Sequence, residues 1–517
     1  MFFILLLGLS ALALGQTGAR YLIIAQDDYY DAIQPLADWK TKKGMPCVVV
    51  RKSQIGTQAD QIRSYIRNAY ATWDPRPEFV LIVGAATQVP AFAKGRQNDR
   101  IYTDNCYGDM EGDYRVELPY GRFPCKNLRQ CSVMVAKTLL YERRPDLVDS
   151  LWLRRATIIV ADSLDSDAAT YWSDARFVAR LAGQAGFTSV DTLSSSRRDD
   201  ARDITADVNV GTSFVLYRGT ATDYWYQPFD MRPQFRYMTN KYRQPIVCSF
   251  TCQTVSLSPY NDSMTGNTWV RLGTSDALAG AVAVVGNTHS STNVAGQRSA
   301  MTRGFFTRAF SDSLPYLGHA VMMGKMQIYN LYHDSMDYMG FNLLGDPELN
   351  VWTTTPQVME LSYDSAVSVG DDTFRILVER AGQPIANALV CLRHMPDTLS
   401  SDSVYAYGYT DSLGQARLPI STTATQELEL TVTARNCLPF EGLIVTDTVH
   451  TSIDSRSPGP ISSLVRAGTG GFALSPDHTR PVITVEPHTQ VAVYDLAGRC
   501  MLLVRPSQDR STWDLGR

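Results

Sequence analysis

Long apolar runs are almost missing from this chain. Only Ile4–Leu14 qualifies, and about a dozen residues is too short to cross a bilayer. It suits the core of a signal peptide, with the small residues Ala13 and Gly15 placed for cleavage, although no Lys or Arg precedes it. We therefore expect residues 1–15 to be a signal peptide, the alternative being a buried N-terminal strand, and the protein to be exported and soluble after cleavage. Basic runs are also lacking. Lys and Arg total 48 against 52 Asp and Glu, a net charge of −4, which argues against nucleic-acid binding. Cysteines are sparse and odd in number: Cys47, Cys106, Cys125, Cys131, Cys248, Cys252, Cys391, Cys437 and Cys500. Such a set is not a disulfide scaffold, and without a CxxC pair or a His/Cys cluster it is not a zinc site. Cys106, Cys125 and Cys131 are close enough in sequence to permit a bridge. A dinucleotide-binding fingerprint and a phosphate-binding P-loop are both absent, so no nucleotide cofactor is expected. There is no internal repeat.

What is present is ordinary globular composition, 44% hydrophobic and 19% charged, over a length suited to roughly three domains. From Tyr21 to about Trp352 apolar strands alternate with amphipathic helices. The strands are predicted at Tyr21–Ala25, Cys47–Arg51, Phe79–Val83, Thr157–Ala161, Val190–Leu193, Ser213–Tyr217, Ile246–Phe250 and Ala281–Val285. Their continuous apolar character predicts parallel strands covered on both faces. Helices are predicted at Tyr29–Lys43, Gln58–Thr72, Leu128–Arg143, Ala168–Ala185 and Arg303–Ala309. The fold class is an open α/β sheet in two side-by-side parts, residues 16–145 and 146–353. After Thr353 helical periodicity vanishes and alternation takes over, as in Thr373–Val378 and Leu428–Ala434, which predicts a β-sandwich over 354–451. A Ser/Gly/Pro linker spans 452–475, and a short tail spans 476–517.

In open α/β sheets, sites form outside the carboxyl ends of the strands. Cys252 follows the Ile246–Phe250 strand, and Asn287 and His289 follow Ala281–Val285. A thiol and an imidazole on neighbouring strand tips suit nucleophilic catalysis. The imidazole takes the thiol proton, steadies the thiolate and later protonates the leaving amine. Backbone N–H groups near Gly219, Thr220 and Cys252 would hold the oxyanion. Asp162, after Thr157–Ala161, would orient an imidazole or read a basic substrate, its alternative being a helix cap or solvated loop acid. Asp223 is a second acid able to favour Lys or Arg substrates. Asp104, Asp109, Glu111 and Asp113 form a hard-oxygen set of the kind calcium takes, although their spacing matches no EF-hand loop.

Several segments occur together in order: FVLIVG (79–84), YTDN (102–105) with Gly112-Asp113, PYGRFP (119–124), PIVCSFTC (245–252), GAVAVV (280–285) and FNLLGDPEL (341–349). From Arg20 to Trp352 the chain resembles the gingipain family of cysteine peptidases, Leu344–Glu348 being the most distinctive piece. The resemblance implies a caspase-like catalytic domain with a Cys/His dyad and Cys252 as nucleophile. It also implies structural calcium, a pocket-lining loop around His289, and a tryptophan matching Trp225. The family's histidine lies in a Gly-His-Gly turn about 30 residues before the cysteine. The matching turn here is Gly219-Thr220-Ala221, so Thr220 stands where the histidine is expected. Two readings stay open: a peptidase in which His289 replaces the missing base, and a catalytically degenerate protein that binds or adheres at the surface. The resemblance further implies an immunoglobulin-like module for the sandwich. For 476–517 it implies the start of a type IX secretion sorting domain that stops short of its usual end, with the secretion machinery as partner. No cofactor is required by this chemistry; the substrate is a peptide or protein.

Overall fold

The computed structural model describes residues 18–447, apart from 97–99, 164, 293, 312–315 and 395–402; beyond 447 it describes the backbone of short strands only. The expected signal peptide therefore lies outside the described residues. So do the side chains of the linker and tail.

Ten strands form one sheet. In chain order they are β1 (Tyr21–Ala25), β2 (Cys47–Arg51), β3 (Phe79–Val83), β4 (Tyr120–Phe123), β5 (Arg155–Val160), β6 (Ser189–Ser194), β7 (Phe214–Arg218), β8 (Ile246–Gln253), β9 (Ala283–Asn287) and β10 (Phe341–Leu344). The spatial order is β2-β1-β3-β4-β10-β9-β8-β7-β5-β6. Within each half the pairings are parallel. The expectation of a purely parallel sheet fails at one seam. There β10 runs antiparallel to β9 and parallel to β4, so a single late strand stitches two oppositely directed halves into one mixed sheet. The sequence reading passed over β4 and β10 because each has only four residues and carries polar side chains (Arg122 and Asn342) where buried strands are usually apolar.

Helices cover both faces, as continuous apolar strands require. They are α1 (Tyr30–Lys42), α2 (Ala59–Thr72), α3 (Leu128–Arg143), α4 (Ala168–Gln184), α5 (Ala201–Val210), α6 (Thr265–Arg271), α7 (Ala295–Ala309), α8 (Leu317–Tyr332) and α9 (Ser335–Gly340). On β8 the alternation divides the strand between two cores. Ile246, Cys248 and Phe250 join the layer beneath α7 and α8, while Val247 joins the opposite layer with Trp225 and Trp269. Helix α7 begins eight residues before the predicted Arg303, because Gly, Gln, Arg and Ser in its first turns hide the apolar periodicity.

The LGDPEL segment owes its character to a buried charge cluster. Lys40 Nζ lies 2.5 Å from both Asp346 and Glu348 and 3.2 Å from Glu142, and Lys43 Nζ lies 2.6 Å from Glu348. Tyr21 donates to Asp346 at 2.6 Å, and Trp39 Nε1 donates to Glu142 at 2.7 Å. Burial alone would neutralise Lys40, but the three carboxylates outweigh it and hold the ammonium charged. The cluster thereby ties α1 and α3 to the segment after β10.

Residues 360–447 form two facing sheets around one core that includes Phe374, Ile376, Leu392 and Leu430. Arg143 clamps Glu441 of this sandwich with Nη2 at 2.6 and 2.8 Å, and Arg20 donates to Tyr409 at 2.6 Å. The chain from Arg456 onward is a separate unit in which short strands pair into two three-stranded antiparallel sheets.

Candidate active site

The ladder between β8 and β9 breaks where the site begins. Ser249 pairs with Gly286, yet the next pair is Gln253 with Asn287. Four steps on β8 thus match one on β9, and Phe250–Cys252 bulge out of register. Such irregularities re-aim side chains at strand ends. Thr251 Oγ1 donates to Gly219 O, tying the bulge to the turn after β7. Among the described cysteines Cys252 alone is partly exposed; the other seven are buried.

The Cys252 sulfur faces α7. Arg298 Nη1 donates to Sγ at 3.0 Å, and Sγ lies 3.8 Å from Ser291 O, to which Arg298 Nη2 donates at 3.3 Å. The loop carrying His289 therefore reaches back over Cys252. His289 itself is buried, with Nδ1 at 3.1 Å from Asp337 Oδ1. Arg298 Nε stands 3.8 Å from the other oxygen of Asp337. Cys252, Arg298, Asp337 and His289 thus form one continuous chain of polar contacts.

Asp337 is placed by α9. Asp334 caps that helix, accepting from the N–H groups of Met336 and Asp337 at 3.0 Å each. Asn287 is the last residue of β9 rather than a loop residue. Its Nδ2 donates to Asp337 Oδ1 at 3.1 Å, and its Oδ1 accepts from His289 N at 2.8 Å. A Cβ at Gly340 would fall 2.3 Å from Asn287 Oδ1 and 2.9 Å from His289 Cβ, so only glycine allows α9 this close. Asn287 thus bridges the Asp337 carboxylate and the backbone of His289.

The remaining predicted residues lie elsewhere. Thr220 is exposed and donates to Asp165 at 2.7 Å, while its carbonyl accepts from Tyr217. A Cβ at Gly219 would meet Ala161 Cβ at 2.4 Å, so the turn is pressed against the end of β5. Trp225 is wholly buried, stacked on Tyr217 with centroids 4.6 Å apart, and donates to Ser249 at 2.8 Å. It packs in the core layer with Trp269 and Val247. Asp162 is enclosed by Ser194, Ser195, Ser196 and Trp172, all donating to its carboxylate. Burial opposes its ionisation, but these donors prevail and hold the carboxyl well below the usual range. With both oxygens so engaged, Asp162 braces the β5 and β6 loops, and its described partners do not include His289.

The four acids proposed for calcium do not converge. Asp104 is buried in a two-point pair with Arg122, at 2.6 and 2.7 Å. Asp109 pairs with Arg63 at 3.0 Å, Asp113 pairs with Arg115, and the exposed Glu111 lies 3.9 Å from the same Arg115. Among the described residues the carboxylates that do approach one another are Glu142, Asp346 and Glu348, and Lys40 and Lys43 already supply the positive charge there. The acidic loop does not fit a bound calcium ion, because arginines occupy the positions a cation would take.

Sequence reasoning missed Arg298 and Asp337. Arg298 was hidden by the misplaced start of α7. Asp337 follows no strand; the one available signal was the Asp334-x-x-Asp337 capping pattern at the start of α9.

Taken together, these features define an α/β protein with a cysteine at the carboxyl end of a central strand and a carboxylate-bound histidine just beyond the end of the next. Peptidase family C25 matches residues 15–352, nearly two-thirds of the chain, and the chain belongs to that family. Relatives include Gingipain R2 of Porphyromonas gingivalis, 23% identical over 425 residues, covering 80% of this chain and 55% of the relative. Lys-gingipain HG66 of the same organism is 22% identical over 463 residues, covering 82% of this chain and 25% of the relative. The chain thus spans about half or less of the length of these relatives. The fold is shared with the crystal structure of the Arg-specific cysteine proteinase gingipain R, at a TM-score of 0.70 and 20% identity, over 84% of this chain and all of that one. The complex of Porphyromonas gingivalis RgpB pro- and mature domains gives a TM-score of 0.71 at 20% identity, over 83% of this chain and all of that one.

Proposed function

We propose that this chain is an exported cysteine endopeptidase in which Cys252 is the nucleophile and His289 the general base and acid. The observation that carries the reading is the chain of contacts from the partly exposed Cys252 thiol to a buried histidine bound to Asp337. On this reading His289 takes the Sγ proton as the thiol is activated. The thiolate attacks the substrate carbonyl, a C–S bond forms, and negative charge gathers on the oxygen. As the C–N bond breaks, His289 gives its proton to the departing amine. Water then attacks the thioester while His289 takes up its proton, which releases the carboxylic acid and restores the thiolate. Asp337 holds the imidazole in one orientation and offsets its charge, the part an orienting carboxylate plays in catalytic triads. On this reading the N–H groups of the bulge after Ser249 and of the Gly219 turn would hold the oxyanion.

On this reading Thr220 has taken the position of the family's histidine, and His289 supplies the base from the adjacent strand. The sandwich is read as an immunoglobulin-like module and the segment after 475 as sorting-like. The second reading, a degenerate protein that binds without cleaving, is favoured by one observation: Thr220 is hydrogen-bonded to Asp165 and has no titratable group. Hydrolysis of a peptide library by the wild type and by Cys252→Ala separates the two. Cleavage lost in the variant supports the peptidase; equal cleavage in both removes Cys252 as nucleophile; none in either supports the binder.

A further inference from the structure

The Cys252 thiol has a partner that the two-residue scheme does not include. Arg298 is 6% exposed, its Nη1 donates to Sγ at 3.0 Å, and its Nε has no hydrogen-bond partner. An arginine is expensive to bury unless an anion balances it. Asp337 stands 3.8 Å from Nε, but that carboxylate is also bonded by Asn287 and His289. The guanidinium is fixed at its far end by Ser291 O and rests on a helix whose first turn is held by Arg218 Nη2, which donates to Ala295 O at 3.2 Å. It is thus a rigid donor aimed at the sulfur.

We infer that Arg298 is a catalytic residue that stabilises the Cys252 thiolate by a charged hydrogen bond, taking over the charge-pairing half of the role a neighbouring histidine has in a two-residue dyad. This rests on the proposed nucleophile, and it divides the labour. Arg298 favours the anionic form of the sulfur whenever it is not acylated, because guanidinium does not give up its proton at any working pH. His289, oriented by Asp337, is left to carry the proton. When Sγ bonds to the carbonyl carbon the sulfur loses its charge and the hydrogen bond from Nη1 weakens; it re-forms when the thioester is hydrolysed.

The charged and titratable groups around Cys252 are Arg298 on α7, His289 and Asp337 across the β9 end, Tyr217 and Arg218 on β7, and Asp223, whose N–H donates to Gln253 O. Arg298 alone of the cations touches the sulfur in the contacts described. Loss of Arg298 therefore removes the cation that touches the sulfur and leaves Asp337 without its guanidinium neighbour.

The test is the rate of iodoacetamide alkylation of Cys252 as a function of pH, read by mass spectrometry of the Cys252 peptide in the full chain. It needs no peptidase activity. In Arg298→Met the midpoint should move up by about one unit or more, with about tenfold slower alkylation at pH 6. Arg298→Lys, which keeps a charge in the same space, should move it by less than half as much. Arg298→Gln serves as a second neutral variant if the Met variant does not fold, as judged by its melting curve. An unmoved midpoint in a folded neutral variant, or an equal shift in the Lys variant, overturns the inference. Should wild type cleave no peptide while the midpoint still moves, the peptidase reading fails and the thiolate partner stands.

Discussion

His289 Nδ1 lies 3.1 Å from Asp337 Oδ1, and the carboxylate that orients the imidazole is itself wholly buried. A neutral amide at that position keeps the shape but cannot offset an imidazolium. Asp337→Asn should therefore lower kcat by about 10²–10⁴-fold with little change in KM. Steady-state kinetics on a cleaved peptide check this. A change confined to KM would assign Asp337 to substrate binding instead.

Thr220 is exposed, and its hydroxyl bonds Asp165 and Tyr171, neither of them in the Cys252 cluster. If His289 is the base, Thr220→Val should leave kcat/KM within about threefold of wild type, the scale of an ordinary surface change. His289→Ala should remove at least about 10²-fold, the usual worth of an acid-base group. Inverted results, with Thr220 essential and His289 dispensable, would move the site to the Gly219 turn.

Lys40 is shared by Glu142, Asp346 and Glu348 with no solvent access. Lys40→Met leaves three buried carboxylates with Lys43 alone, so unfolding stability in urea should fall by about 3–5 kcal/mol. Burial raises the Glu348 carboxyl against the pull of the two lysines, so that acid takes up a proton first when the cation is lost. The deficit should accordingly shrink as pH falls toward the ordinary carboxyl value of 4.5.

Burial next to Phe79 and Tyr316, reinforced by Arg308, depresses His319 to about 4 from its ordinary 6.5. The folded protein then binds fewer protons than the unfolded chain between those values. The contribution is complete above pH 6.5 and is lost as pH falls toward 4, by about 1–3 kcal/mol after allowance for partial exposure. His319→Phe should flatten the stability profile across that window. A profile of unchanged slope would show that the ring titrates normally.

Much of the architecture was legible in residues whose neighbours agree with them. β1 and β3 are unbroken apolar runs and β2 is one up to its closing Arg51, and their observed limits coincide with the predicted ones. Cys252 and His289 were found because both follow such runs. The rest lay in tertiary relationships that periodicity does not encode. β10 reverses direction at the seam, and its polar Asn342 is satisfied by Gly340 O at 2.8 Å and by Thr103, partners distant in sequence or hidden in a short helix. Arg298 reads as a surface cation until the helix start at Ala295 turns it onto the sulfur. Asp162 illustrates the converse. It stands at a strand end as a site acid should, yet three serines and a tryptophan enclose it, and no local pattern announces them.

The central claim is that Cys252 forms a covalent acyl-enzyme. It is tested most directly by rapid acid quenching of the full chain during turnover of an activated peptide ester, followed by mass mapping. The account predicts an acyl mass on the peptide containing Cys252 in wild type and its absence in Cys252→Ala, with hydrolysis lost together with the adduct. Turnover that proceeds with no acyl group on Cys252, or unchanged in Cys252→Ala, would contradict it.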